Sequence, residues 1–282
     1  MIVLKYIKDL KDELLKKRSQ GQIIGFVPTM GALHRGHISL MQCARNQCDV
    51  VVVSIFVNPT QFNNKNDYEK YPRLFEKDIE LLQNSQVCDI VFLPEEKEMY
   101  PEPDKRHFDL GYLETIMEGK FRHGHFQGVA QIVSKLFDAV QPHKAFFGKK
   151  DFQQIAVIKR LVELMNYPIE IISCEIVREP HGLAMSSRNL RLSSDDFHRA
   201  QVIYQTLSKI HTWLYIKTID EIKQFVKDNI EAVSPFKVEY IEIVDTLTLK
   251  TVTNIKQHQS ITACVAVYCN DVRLIDNIEI KL

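Results

Sequence analysis

Short apolar segments alternate with helical segments over the first two thirds of this chain. The clearest is the β-branched run at residues 50–57, in which Ser54 is the one polar residue. A strand that is apolar on both faces is typical of a parallel sheet covered by helices on each side. We therefore predict an α/β fold with a Rossmann-like, doubly wound parallel sheet. Its strands are expected at residues 23–27, 50–57, 88–93, 144–147 and 169–177, and its helices at 4–18, 36–47, around 79–82, 129–140 and 152–165.

The pattern changes after residue 182. The run Ser193-Ser194-Asp195-Asp196 is typical of a helix N-cap, and we predict one helix from there to about residue 214 and another at 219–232. Apolar runs at 238–244, 261–269 and 274–280 predict antiparallel strands. We expect a larger domain at residues 1–176 and a smaller α+β domain at residues 177–282.

The charge balance and the lack of long apolar runs limit the partners that this chain is expected to bind. Lysine plus arginine and aspartate plus glutamate both number 36, so the formal net charge is zero. Such a chain has no bulk attraction for nucleic acid or anionic lipid, and an anion site must be built locally. Lysines interrupt any signal-peptide core near the N-terminus, and no apolar run approaches the roughly 20 residues of a membrane span. Six cysteines without a C-x-x-C pair predict reduced thiols in a cytoplasmic protein.

Two histidines mark the most informative local segment. His34 and His37 flank Gly36 where the second predicted helix begins. Backbone N–H groups at a helix start attract anions, and an imidazole there adds a hydrogen bond or a positive charge. Gly36 allows a large ligand to approach the backbone. The pair indicates a phosphate site; packing or surface histidines, or a zinc pair, are the alternatives at this point.

A second motif, Met185-Ser186-Ser187-Arg188-Asn189, lies far downstream. Two hydroxyls followed by an arginine can bind the oxygens of a polyphosphate, with the guanidinium acting as a planar fork. The combination of a His-x-Gly-His turn with a later Met-Ser-Ser motif resembles the nucleotidyltransferase superfamily. That superfamily includes class I aminoacyl-tRNA synthetases and cytidylyltransferases.

Further segments, in order along the chain, narrow the resemblance. The segments are Pro28-Thr29-Met30-Gly31-Ala32-Leu33-His34, Val57-Asn58-Pro59-Thr60-Gln61-Phe62, Tyr71-Pro72-Arg73, Phe146-Phe147-Gly148-Lys149-Lys150-Asp151 with Gln153-Gln154, Ile176-Val177-Arg178-Glu179 and Arg273-Leu274-Ile275-Asp276-Asn277. Together with the two motifs above, these segments resemble the pantoate–β-alanine ligase (pantothenate synthetase) family from about residue 22 to the last strand.

The resemblance implies a two-step reaction in coenzyme A precursor biosynthesis. The carboxylate of pantoate attacks the α-phosphate of ATP to give pantoyl adenylate and pyrophosphate, and the amine of β-alanine then expels AMP. ATP is thus a substrate, with Mg²⁺ accompanying it. The resemblance also implies a cytoplasmic homodimer, with no nucleic acid or membrane as partner.

Residue roles follow from the same resemblance. His37 is the first candidate for a catalytic residue, followed by His34 and Lys150. Gln61 and Gln154 are expected to bind pantoate, and Arg122, with His123, lies in a basic loop near the site. The residues expected to bind ATP are Met30, Gly31, Ala32, Leu33, His34, Arg35, Gly36, His37, Gly148, Lys149, Lys150, Asp151, Val177, Met185, Ser186, Ser187 and Arg188.

Two points stay open at the level of the sequence. Asp78 is one acidic side chain that could help to hold Mg²⁺, but no protein ligand is assigned because this ion binds largely through phosphates and water. The family commonly has an acidic residue where this chain has Lys149. A second positive charge beside Lys150 would either lower the pKa of that lysine or strengthen ATP binding.

Two other functions compete with the ligase. One is a nucleotidyltransferase for another small molecule, such as a cytidylyltransferase, against which Gln61 and Gln154 favour pantoate. The other is a non-catalytic nucleotide-binding module, which has no need to retain His37, Lys150 and the Ser-Ser-Arg motif together. RNA binding by analogy with the synthetases is disfavoured by the neutral charge.

Overall fold

The computed structural model describes residues 1–282. The chain forms two compact units, Met1–Glu175 and Ile176–Leu282. None of the helices in either unit combines the length and the apolar character needed to cross a membrane.

The first unit is built on a six-stranded parallel sheet. The strands are β1 (Ile2–Leu4), β2 (Ile24–Thr29), β3 (Val50–Ile55), β4 (Ile90–Phe92), β5 (Lys144–Gly148) and β6 (Glu170–Cys174). Their order across the sheet is β1-β4-β3-β2-β5-β6. The helices are α1 (Ile7–Ser19), α2 (Arg35–Arg45), α3 (Lys65–Glu69), α4 (Phe75–Ser85), α5 (Glu96–Met99), α6 (Met117–Phe121), α7 (His125–Val140) and α8 (Phe152–Met165).

Both faces of this sheet are covered by apolar side chains. Phe26 of β2 belongs to a core that includes Leu10 of α1 and Leu136 of α7. The next residue along β2, Val27, points to the opposite face and packs in a second core with Met41 of α2. Successive residues of a strand face opposite ways, so continuous apolar runs are required when helices cover both faces. The predicted doubly wound parallel sheet is confirmed.

The chain order reverses beside β2. From β2 the chain proceeds through β3 to β4 on one side, and β5 then returns to pair with the other side of β2. In open α/β sheets ligands bind beyond the carboxyl ends of the strands at such a reversal. The turn after β2 carries His34 and His37, and the turn after β5 carries Lys150.

The second unit packs four helices with a three-stranded antiparallel sheet, in which the strands are neighbours in chain order. Its shared core includes Ile203, Ile222 and Val265, all almost fully buried. The predicted antiparallel strands are confirmed. The elements are α9 (Ser194–Arg199), α10 (Gln201–Leu207), α11 (Ile210–Trp213), α12 (Ile219–Glu231), β7 (Phe236–Asp245), β8 (Ser260–Cys269) and β9 (Val272–Lys281).

Three predicted helices differ from the structure. The helix expected at residues 129–140 begins earlier, at His125. The N-terminal helix begins at Ile7 rather than at residue 4, because Ile2–Leu4 pairs in parallel with β4 as an edge strand. The helix predicted from 193 to about 214 is divided into α9, α10 and α11. Ala200 and Ser208 at the breaks keep right-handed helical torsions, so the apolar face continues across them and the sequence pattern resembles one helix.

Candidate active site

The turn that follows β2 has an unusual backbone. Gly31 and Ala32 have φ values of +81° and +48°. Both lie in the left-handed region, which is disfavoured for residues other than glycine. The Gly31 N–H donates to Thr29 Oγ1 at 3.2 Å. The next two amides donate to the buried carboxylate of Asp78 in α4: Ala32 N–H to Oδ2 at 2.9 Å and Leu33 N–H to Oδ1 at 2.7 Å.

His34 and His37 cap the start of α2 reciprocally. His34 is the N-cap residue, and its Nδ1 accepts the N–H of Gly36 at 3.2 Å. The Nδ1 of His37 accepts the N–H of His34, also at 3.2 Å. This is the arrangement of a capping box, built here from two imidazoles in place of a hydroxyl and a carboxylate.

The capping hydrogen bonds determine the protonation state and the tautomer of both imidazole rings. A ring nitrogen that accepts an N–H carries no proton, so each imidazole is neutral and presents Nε2–H as a donor. Burial, followed by the field of Lys150, lowers the pKa of His34 to about 4. Burial lowers the pKa of His37 well below 6.5, with further contributions from His34 and Lys150. Of the two contributions that the sequence allowed for an imidazole at this helix start, a hydrogen bond or a positive charge, this geometry favours the hydrogen bond.

The backbone of the turn is also largely engaged. Four backbone N–H groups donate to protein acceptors, those of Ala32, Leu33, His34 and Gly36. Between them, the N–H of Arg35 has no acceptor within the protein. Anion binding by the amides of the helix start, as the sequence suggested, is thus restricted. The donors left for a phosphate here are mainly the two imidazole Nε2–H groups.

Lys150 lies in a 3₁₀ turn, Lys149–Asp151, between β5 and α8. Its Nζ is 3.5 Å from Asp151 Oδ1. Its positive charge is one of the causes that lower the pKa of both His34 and His37. Lys149 forms an ion pair with Glu175, with Nζ 2.5 Å from Oε1, so the charge that replaces the family's acidic residue has a counter-charge in the same unit.

Gln61 is held in one orientation. Asn58 Nδ2 donates to Gln61 Oε1 at 3.1 Å and to the backbone oxygen of Gly128 at the same distance. Asn58 Oδ1 in turn accepts the Tyr100 hydroxyl at 2.7 Å. The amide oxygen of Gln61 is thereby occupied, and its Nε2 contacts Met30 Sδ at 3.0 Å, next to the turn after β2.

Two adjacent glutamines at the start of α8 have different roles in the fold. Gln153 is buried, donates to the backbone oxygens of Leu113 and Ile116, and accepts the N–H of Glu118. Gln154 is half-buried, and its side chain makes no hydrogen bond within the protein. The residue assigned to pantoate by resemblance is thus the one whose amide is available for a ligand.

Arg122 belongs to a network that the sequence did not indicate. Its Nη1 lies 3.3 Å from Glu118 Oε2 and 3.0 Å from His125 Nε2, and the other ring nitrogen of His125 is 2.8 Å from the backbone oxygen of Gln61. Since the guanidinium can only donate, His125 accepts at Nε2 and donates from Nδ1. His123, the other member of the predicted basic loop, is exposed.

The Met185–Asn189 motif lies in the second unit. Arg178 and Ala184 form a β-bridge, and Met185 N–H donates to the Val177 oxygen at 3.0 Å. Ser186 Oγ accepts the N–H of Arg188 and caps a 3₁₀ turn. Its predicted contact with phosphate stays a prediction.

Comparison with known proteins decides the family. A family model described as pantoate-beta-alanine ligase matches residues 2–279. The chain belongs to the pantoate-beta-alanine ligase family. This confirms the resemblance inferred from the ordered motifs and the predicted class of enzyme.

Two relatives match the sequence of this chain over nearly its whole length. The chain is 52% identical over 281 residues to a pantothenate synthetase of Bacteroides fragilis, covering 100% of this chain and 99% of that one. It is 48% identical over 279 residues to one of Porphyromonas gingivalis, with 99% coverage of both.

Two crystal structures show the same fold. The pantothenate synthetase of Thermus thermophilus has a TM-score of 0.92 and 38% identity, with both chains fully covered. A pantoate-beta-alanine ligase of Francisella tularensis, complexed with beta-gamma ATP and beta-alanine, has a TM-score of 0.80 and 37% identity, with 99% and 97% coverage.

Proposed function

We propose that this protein condenses pantoate with β-alanine, using ATP and passing through pantoyl adenylate. The observation that carries the mechanism is the pair of neutral Nε2–H donors at the strand reversal, with Lys150 electrostatically close. The ligand-bound relative from Francisella tularensis, complexed with beta-gamma ATP and beta-alanine, supports the choice of substrates.

In the first step a pantoate carboxylate oxygen attacks the α-phosphorus of ATP. A bond forms between that oxygen and phosphorus, the bond from phosphorus to the bridging oxygen breaks, and pyrophosphate leaves with the electron pair. No proton is transferred, so no side chain has to act as acid or base. The protein's task is to place the reactants and stabilise the charge on the phosphate oxygens. We assign this to His34, His37 and Lys150.

In the second step the neutral amine of β-alanine attacks the acyl carbon of the adenylate. The bond to the phosphate oxygen breaks, AMP leaves, and the amine loses a proton to solvent. We propose that Gln61 and Gln154 hold pantoate throughout both steps. An amide can donate to a carboxylate or a hydroxyl without the fixed positive charge that would weaken the attacking oxygen.

Mg²⁺ would supply charge neutralisation on the triphosphate. No cluster of three His, Cys, Asp or Glu side chains suited to a metal ion is present, and both carboxylate oxygens of Asp78 accept backbone N–H groups. We propose that ATP oxygens and water hold the ion, as is usual for Mg²⁺ with nucleotides.

The remaining assignments rest on the family resemblance. We propose that the unit Met1–Glu175 binds pantoate and most of the nucleotide, with Arg122 near pantoate. We assign the segment Met185–Arg188, with Val177, to nucleotide binding and to the β- and γ-phosphates. We also propose a cytoplasmic homodimer, which light scattering on the purified protein tests directly.

Product analysis tests the proposed reaction. Purified protein is incubated with pantoate, β-alanine, ATP and Mg²⁺, and the products are identified by mass. We expect pantothenate, AMP and pyrophosphate in equal amounts, and no pantothenate when any one substrate is omitted. Transfer from CTP with retention of a cytidylyl group would favour the alternative nucleotidyltransferase. Binding of ATP without turnover of any acid would favour a non-catalytic module.

A further inference from the structure

Asp78 is a buried carboxylate that the proposed reaction does not use. It lies in the first turn of α4, and only 2% of its surface is exposed. A buried charge is costly unless hydrogen bonds compensate it. Here both oxygens are engaged by consecutive backbone amides, those of Ala32 and Leu33, which belong to the turn after β2.

That turn has a conformation that its sequence does not favour. Ala32 has a φ of +48°, although its side chain disfavours the left-handed region. A Cβ atom added at the preceding Gly31 would lie 3.0 Å from Asp78 Oδ2, so the carboxylate sits directly against the turn. A strained backbone of this kind persists only where its surroundings hold it.

The residue after the held turn is His34. Its backbone N–H is capped by His37, and its ring caps Gly36, so both imidazoles take their direction from the backbone that leaves the turn. The Leu33 amide held by Asp78 Oδ1 is one residue before this cap. A shift of the turn would therefore move both Nε2–H donors together.

We propose that Asp78 is a positioning residue, which fixes the left-handed turn and so aims the Nε2–H groups of His34 and His37 at the nucleotide. It acts through the Ala32 and Leu33 amides and touches neither substrate nor metal. The effect on turnover rests on the proposed function, whereas the effect on the two rings does not.

The substitution Asp78→Asn tests this with almost no change in volume. An asparagine offers one acceptor and one donor, so it cannot accept both amides. We expect kcat to fall at least tenfold, with the KM for pantoate within twofold of the native value. The ¹⁵N signals of the His34 and His37 rings should shift in the ligand-free protein. Asp245→Asn is the control for loss of a carboxylate that holds a turn in the other unit: Asp245 Oδ1 accepts the N–H groups of Leu247 and Thr248, and its Oδ2 lies 2.8 Å from His258 Nδ1.

A second substitution separates positioning from general stability. Glycine adopts a positive φ readily. Adding Ala32→Gly to Asp78→Asn should therefore raise kcat at least threefold above that of Asp78→Asn alone. If the single variant does not fold, the double variant must still be slower than Ala32→Gly alone.

Native kcat and unshifted ring signals in folded Asp78→Asn would overturn the proposal. So would a folded Asp78→Asn variant that loses kcat and gains none of it back when Ala32→Gly is added, or, where Asp78→Asn does not fold, equal turnover of the double variant and Ala32→Gly. If the native protein makes no pantothenate, the proposed function fails, and the ring signals still decide the role of Asp78.

Discussion

His37 Nδ1 accepts the backbone N–H of His34 at 3.2 Å, while the ring of His34 caps the same helical turn through Gly36. Both Nδ1 atoms are thus used in capping the helix, and the Nε2–H groups are the ring donors that take no part in the cap. Lowered pKa values for both histidines, caused chiefly by burial, agree with neutral rings. In the proposed reaction the pair would act as two neutral hydrogen-bond donors rather than as a proton donor or a positive charge.

Replacement of His37 tests that role. His37→Ala removes one Nε2–H donor and the cap on His34, and we expect kcat to fall by two to four orders of magnitude, about 3–5 kcal/mol of transition-state stabilisation. His37→Gln is the matched variant, because glutamine at this helix position can accept the N-cap amide and still donate an N–H. Steady-state kinetics should show His37→Gln at least tenfold faster than His37→Ala. Equal inactivity of the two folded variants would indicate that His37 transfers a proton.

The same two rings predict how stability depends on pH. Burial, with Lys150, holds the pKa of His34 at about 4, whereas Asp151 opposes this shift, and the pKa of His37 is also lowered. The unfolded chain therefore binds protons at these residues below about pH 6.5 while the folded chain does not, so stability falls as the pH drops from 6.5 towards 4. We expect the loss of Tm between pH 7 and pH 5 to be smaller in His34→Gln/His37→Gln than in the native protein. An unchanged pH dependence would contradict lowered values for these rings.

Gln153 and Gln154 are neighbours with opposite expected phenotypes. Gln153→Ala leaves the Leu113 oxygen and the Glu118 N–H without the partner that Gln153 supplies, and it removes one of the two donors to the Ile116 oxygen, which also accepts the Lys120 N–H. We therefore expect a loss of at least about 2 kcal/mol in the free energy of unfolding. Gln154→Ala should leave stability unchanged and raise the KM for pantoate at least tenfold. Denaturant titration and initial-rate kinetics on both variants measure the two effects. An unaltered pantoate KM in Gln154→Ala would remove that residue from the substrate site.

Nucleotide should protect the Met185–Asn189 segment. If Ser186, Ser187 and Arg188 bind phosphates, ATP with Mg²⁺ lowers the rate of amide hydrogen exchange there. The turn at residues 246–250 of the same unit is the control, since no role in binding is assigned to it. Unchanged exchange in the 185–189 segment at saturating ATP would exclude it as a phosphate clamp.

Regular periodicity explains which parts of the fold the sequence predicted. The apolar strands are visible because each must be buried on both faces, and α8 was predicted at its observed bounds, Phe152–Met165. The strand Ile2–Leu4 was missed because three residues at a sheet edge carry no periodic signal. Its pairing depends on β4, which lies far along the chain.

The candidate site likewise has features that the sequence indicates and features that depend on the fold. The resemblance selects Gln154 over Gln153, but only the fold shows that Gln153 is occupied by the 113–118 segment. The contact of Asp78 with Ala32 and Leu33 depends on how α4 packs beside the turn, and no local pattern reveals it. The neutral form of His34 and His37 follows from capping geometry, which the residue types alone leave undecided.

The most direct test of the central claim is isotope exchange between pyrophosphate and ATP. Labelled pyrophosphate is added with ATP, Mg²⁺ and pantoate in the absence of β-alanine, and the label entering ATP is measured. Formation of pantoyl adenylate predicts rapid exchange that requires pantoate, with AMP as the nucleotide product once β-alanine is supplied. Absence of pantoate-dependent exchange, with ADP released in proportion to pantothenate, would contradict attack at the α-phosphate.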